Sequence, residues 1–151
     1  MIHFIYDSSL GDERISLIDR QQQQLHRWLR QVAAGYGFAI GELTYILCSD
    51  DKELSVNREF LGHDYYTDVI TFDYTTPHCI NGDVFISWPM IQSNAAEVGV
   101  TDERELLRIL AHGLIHLTGQ ADKTPETKAE MTRKEELALS ILPTLLGENG
   151  V

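Results

Sequence analysis

The sequence predicts an α+β fold: one domain over residues 1–151, built as a mixed four-stranded sheet packed with about five helices. Three observations predict it. Four short runs, Ile2–Tyr6, Leu43–Cys48, Asp68–Tyr74 and Gly82–Ser87, are dense in β-branched and aromatic residues. Helical segments separate only the first three of these runs, so a mixed sheet fits better than an all-parallel one. Finally, the segment from Leu106 to Leu117 is apolar on most sides, which places a helix at the centre of the molecule.

Size and composition agree with a globular domain. Apolar residues make up 43% of the 151, too many for disorder, and no apolar run approaches the ~20 residues of a membrane span. The N-terminus lacks the layout of a signal peptide. Cys48 and Cys79 stand alone, without the spacing of a thiolate metal site or a disulfide framework. A reduced, cytoplasmic protein is expected. The net charge of −11 speaks against broad affinity for nucleic acid, although a local basic cleft is compatible with it. Arg27 with Arg30, Lys52 with Arg58, and Arg104 with Arg108 are the pairs placed to share a face.

The elements follow in order. After the strand Ile2–Tyr6, Asp7 to Gly11 reads as a turn. Ile18, Leu25, Trp28, Leu29 and Val32 fall at helical spacing and predict one helix from about Ile15 to Val32, ended by Gly35 and Gly37. Following Leu43–Cys48, Ser49 or Asp50 caps a helix over Lys52 to Leu61, and Gly62 stops it. Thr75 to Asn81 is a loop between the third and fourth strands. Ser87 caps a helix with Pro89 in its first turn, whose buried face is Ile91, Ala95 and Val98; Gly99 ends it. Thr101 caps the long apolar helix, with Asp102 and Glu103 suited to its N-terminus. Thr124-Pro125-Glu126 opens a last helix to about Leu142, and Pro143, Gly147 and Gly150 mark a frayed end.

The central helix carries the chemistry. His112, His116, Gly119 and Asp122 follow the pattern H-x3-H-x2-G-x2-D. Residues four apart lie ~6 Å apart along a helix on nearly one face, so both imidazoles project together. Gly119 permits the left-handed turn that brings Asp122 back toward the rings. Two nitrogens and one carboxylate oxygen are a competent ligand set for a divalent metal with an open position. The competing reading is two structural histidines. In an apolar helix these need separate partners, since an unpaired buried polar group costs ~1–3 kcal/mol. The spacing is also that of extended-zincin metalloproteases. Those carry a glutamate general base directly after the first histidine, where this chain has Gly113.

With H-G-L-I-H-L-T-G (His112 to Gly119) in view, the chain resembles the YbeY family of bacterial ribosomal-RNA maturation factors, whose motif reads H-G-x-L-H-L-x-G-Y-D-H. T-D-V-I-T-F (Thr67 to Phe72) is similar to the family's T-D-V-L-S-F, and G-D-V-F-I-S (Gly82 to Ser87) to its G-D-I-x-I-x strand. Glu105-Leu106 and the Met131/Glu135 segment also fit, so the resemblance spans nearly the whole chain. It implies a metal-dependent single-strand endoribonuclease acting in ribosomal-RNA processing and ribosome maturation. One divalent transition metal, zinc, would be held by His112, His116 and Asp122. The implied partners are ribosomal RNA and the small ribosomal subunit, with no membrane and no DNA.

Two positions depart from the family pattern. Its third histidine falls at Asp122, an anionic ligand that donates more charge and should make bound water less acidic. Its arginine before G-K-D falls at Leu61, before Gly62-His63-Asp64, leaving Arg58, one helical turn earlier, as the candidate catalytic replacement. Asp64 or Asp68 serves as a base only if the fold brings it near. A non-catalytic ribosome-assembly factor with a structural metal is the alternative function; a metalloprotease is a more distant one.

Overall fold

A computed structural model describes residues 1–143. Gly147 and Gly150, expected in a frayed end, lie outside the described residues. Four strands, β1 (Ile2–Tyr6), β2 (Ala39–Cys48), β3 (Val69–Asp73) and β4 (Cys79–Ser87), form one sheet in the order β1-β2-β4-β3. The pairs β1–β2 and β2–β4 are parallel and β3–β4 is antiparallel, so the sheet is mixed, with the antiparallel strand at one edge.

Among the described residues six α-helices stand where about five were expected: α1 (Ser16–Arg20), α2 (Gln22–Gly35), α3 (Asp50–Leu61), α4 (Trp88–Val98), α5 (Asp102–Leu117) and α6 (Pro125–Ser140). The extra one comes from a break at Gln21, whose φ of −123° and ψ of 28° leave the helical region. Leu17 and Ile18 before the break and Leu25, Trp28 and Leu29 after it are all buried in the core. The strand β2 begins at Ala39 rather than Leu43, because Ala39 and Ile40 find partners in Cys79 and Ile80 of β4. The expected loop after Thr75 is shortened to match. Val98, expected on the buried face of α4, is 66% exposed at the helix's last turn. No described helix is long and apolar enough to cross a membrane.

The expected caps all form. Ser49, Ser87, Thr101 and Thr124 each accept a backbone N–H from the first turn of the helix that follows. Leu43, Tyr45 and Leu47 of β2 and Ile80, Val84 and Ile86 of β4 point to one face of the sheet and are buried there. The helix α5 crosses that face closely. A Cβ on Gly113 would lie 2.9 Å from a methyl of Val84, and one on Gly82 would lie 2.9 Å from Leu117. The Tyr45 hydroxyl donates to the Leu110 carbonyl at 2.7 Å, bonding sheet to helix inside the core. These contacts fix the height and rotation of α5, and with them the two histidines.

Candidate metal centre and cleft

Because Gly113 faces Val84, the residues at His112 and His116 turn toward the edge of the sheet, over β3. Gly113 therefore serves close packing. A side chain there would meet the sheet, away from the histidines. His112 and His116 stand with nearly parallel rings, 12° apart in plane and 6.1 Å between centroids, as a four-residue helical spacing dictates.

Each ring is held by its Nδ1. His112 Nδ1 donates to Glu135 Oε2 of α6 at 2.6 Å, and His116 Nδ1 donates to the Gln120 carbonyl at 2.8 Å. A ring that donates through Nδ1 keeps its Nε2 lone pair free as a ligand, and this pairing is the usual support of metal-binding histidines. Gly119, at φ +101°, reverses the chain after α5 so that the Gln120 carbonyl reaches His116. The same turn brings Asp122 Oδ2 to 3.5 Å from His112 Nε2. Ligands bound to one tetrahedral metal at ~2.0–2.2 Å lie about 3.3–3.5 Å from each other. Lys134 donates to Gln120 Oε1 at 2.7 Å and fastens the turn to α6.

The His112–Asp122 edge is thus formed. Among the described residues, however, no three or more His, Cys, Asp or Glu side chains are gathered into a closed metal-binding group. His112, His116 and Asp122 nevertheless line one cleft of about 350 Å³, together with Tyr65, Thr67, Asp68, Val69, Thr71 and Arg108. They are the residues that could hold a metal, and their two nitrogens and one oxygen fit a zinc-type ion.

The cleft has electrostatic partners that the sequence reading did not assign. Arg108, one turn before His112, donates to Glu105 at 2.6 and 2.9 Å and to Glu135 at 2.9 Å. Its guanidinium is consequently raised above its ordinary pKa, chiefly by Glu105 and against the effect of burial. Burial acts to raise the Glu135 pKa, but the hydrogen bonds from His112 and Arg108 outweigh it and hold the carboxyl below its ordinary range. Glu135 pairs across 23 and 27 residues of sequence, a separation that no local pattern reports. Asp68 also lines the cleft, and burial raises its carboxyl above the usual range. Its Oδ2 accepts from Asn94 at 3.3 Å.

Arg58 and Asp64 are placed differently. Neither lines the cleft; they form an ion pair with each other, on α3 and the loop that follows it. Leu61 is 41% exposed nearby.

Comparison with known proteins places the whole domain. The sequence model of the family described as endoribonuclease YbeY matches residues 9–142. An endoribonuclease YbeY of Phocaeicola vulgatus is 45% identical over 134 residues, covering 89% of this chain and 97% of the relative. That of Cytophaga hutchinsonii is 47% identical over 123 residues, covering 81% and 86%. A Thermotoga maritima protein solved in solution superimposes with a TM-score of 0.62 at 25% identity, over 93% of this chain and 90% of that one. On its sequence, its fold and its extent, the chain belongs to the endoribonuclease YbeY family.

Proposed function

We propose that this chain is a metal-dependent endoribonuclease of single-stranded RNA, acting in the cytoplasm on ribosomal RNA during maturation of the small ribosomal subunit. His112, His116 and Asp122 hold one divalent transition ion, zinc. The observation that carries the reading is the pair of imidazoles with Nδ1 occupied by Glu135 and the Gln120 carbonyl, and Asp122 seated 3.5 Å from His112 Nε2. Family membership supports RNA as the substrate.

The charge balance supports the ion as well. Arg108 is the one guanidinium in the cleft, and two glutamates already neutralise it, while Asp68 and Asp122 add negative charge. A phosphodiester would be repelled by such a site without a dication. When bound there, the ion supplies a Lewis acid for a phosphate oxygen and acidifies water.

The chain's own residues do the rest. Glu135 and the Gln120 carbonyl hold the two rings in one tautomer and orientation. Asp68, which lines the same cleft, is the carboxylate placed to accept a proton from water, with its Oδ2 held by Asn94 at 3.3 Å. Arg58 takes no part in the cleft.

The test is elemental analysis with a cleavage assay. Purified protein should carry close to one equivalent of transition metal and cut single-stranded RNA, and His116→Ala should lose both. Full metal retention in His116→Ala overturns the site. Metal-loaded protein that leaves RNA intact favours the assembly-factor reading, for which the full pairing of Arg108 is the specific support.

A further inference from the structure

The loop from Gly62 to Thr67 forms the wall of the cleft opposite α5, and it places aromatic rings at the rim. Tyr65 lines the cleft and is nevertheless 55% exposed. Its ring stacks on that of His63 at 5.2 Å between centroids and 19° between planes, and the Tyr65 hydroxyl bonds His63 Nδ1 at 3.0 Å. This pair is held from below. The backbone carbonyl of the buried Asn57 of α3 accepts the His63 backbone N–H at 3.1 Å, and the Asn57 side chain donates from Nδ2 to the Tyr65 carbonyl at 3.0 Å. The Arg58–Asp64 ion pair fastens the residue between them.

A flat, exposed, pre-ordered pair of rings at the mouth of a cleft is the surface on which an unpaired nucleobase stacks. Stacking is indifferent to charge and to base identity. That suits a protein of net charge −11 whose cleft arginine is already spent on carboxylates. Neither a double helix, whose bases are stacked on each other, nor a sugar–phosphate backbone alone would use such a surface. Because the rings are ordered before the ligand arrives, little conformational freedom is lost on binding.

We propose that the His63–Tyr65 ring pair is a nucleobase-stacking subsite, which seats an unpaired base of single-stranded RNA beside the phosphodiester lying in the His112–Asp122 cleft. The inference rests on the nuclease reading above for the identity of the strand. It assigns Arg58 and Asn57 to positioning the rim, outside the chemistry.

The test measures binding of a short labelled single-stranded RNA by anisotropy, using full-length, metal-loaded protein and reading the signal before cleavage sets in. Tyr65 is exposed, so its truncation leaves the core intact. Tyr65→Ala should weaken binding about 5- to 100-fold, and Tyr65→Trp should retain it. A strand with abasic sugars should bind the wild type with the same loss, and Tyr65→Ala should weaken that strand no further. The slope of log affinity against log salt should be equal for wild type and Tyr65→Ala, since no phosphate contact is removed. Equal affinity of wild type for the intact and abasic strands overturns the subsite, as does wild-type affinity in Tyr65→Ala. The nuclease reading fails separately: metal-loaded wild type that binds RNA through Tyr65 but never cuts it refutes the reaction and keeps the subsite. Protein that cuts RNA, with Tyr65→Ala binding and cutting as well as wild type, refutes the subsite and keeps the reaction.

Discussion

The two walls of the cleft each contain a buried glutamate, and the two are in opposite states. On the α5–α6 side Glu135 is 4% exposed, and both its oxygens are engaged, one by His112 and one by Arg108. Behind the loop wall Glu53 of α3 is 1% exposed, and neither oxygen has a hydrogen-bond partner. Burial, then the nearby Asp68 carboxylate, push the Glu53 carboxyl up to about 9. The opposing pull of the Ser87 amide, which donates to the Asp68 carbonyl at 3.0 Å, is smaller. Burial alone therefore does not decide whether an acid is charged; partners do. One wall is a paired, charged scaffold for ligands, and the other is a neutral support under a surface loop.

The largest effect expected from breaking this division is on Asp68, which faces the histidines from the loop side. Asp68→Asn should lower the rate of RNA cleavage about 100-fold, the lower range for a lost general base, with metal content unchanged. An unchanged rate would remove Asp68 from the chemistry. Glu135→Gln acts on the other wall. It should weaken metal binding about 10- to 100-fold, since the carboxylate bonded to Nδ1 raises the basicity of the His112 ring. Competition against a chromogenic chelator reads this directly, and wild-type affinity would show that the 2.6 Å contact is incidental.

Glu53 and Glu135 also predict opposite responses to pH. A glutamate raised to about 9 binds a proton in the folded state that the unfolded chain, with its ordinary value of 4.5, has released. Its stabilising contribution is complete below pH 4.5 and is lost as pH rises toward 9. Glu53→Gln should accordingly raise stability at pH 8 by about 5 kcal/mol and change it little at pH 4.5. Denaturant titrations at the two pH values check this, and an equal effect at both would mean that Glu53 is ionised in the fold. Glu135, lowered instead, stabilises above its ordinary value and ceases to do so as pH falls.

What the sequence made legible follows the range of the interactions. Helix caps act over three residues, and Ser49, Ser87, Thr101 and Thr124 all cap where expected. The four-residue step from His112 to His116 and the glycine turn to Asp122 are equally local. The break at Gln21 is not, because nothing in a glutamine-rich segment opposes a helix. It separates two buried stripes, Leu17 with Ile18 before it and Leu25, Trp28 and Leu29 after it. Glu135, Arg108 and Asp68 reach the cleft from three elements, and only the fold joins them. Arg58 lies one helical turn before Leu61 in the chain, and the fold pairs its side chain with Asp64, outside the residues that line the cleft.

Arg58 therefore gives the smallest expected effect and the sharpest test of the rim's construction. Its ion pair with Asp64 is largely exposed on both sides, where such pairs contribute within about 0.5 kcal/mol to folding. Arg58→Ala should leave stability within that range and leave metal content unchanged, since no ligand or ligand partner is touched. Were Arg58 the family arginine relocated, its loss would cost cleavage rate at saturating RNA, as a group acting on the reacting phosphate does. As a strut of the loop it should instead raise KM a few-fold with kcat preserved. Asn57 still holds His63 and Tyr65 through two hydrogen bonds, so the loop loosens without collapsing. Steady-state kinetics separate the two roles, and a fall in kcat at unchanged KM would return Arg58 to the chemistry.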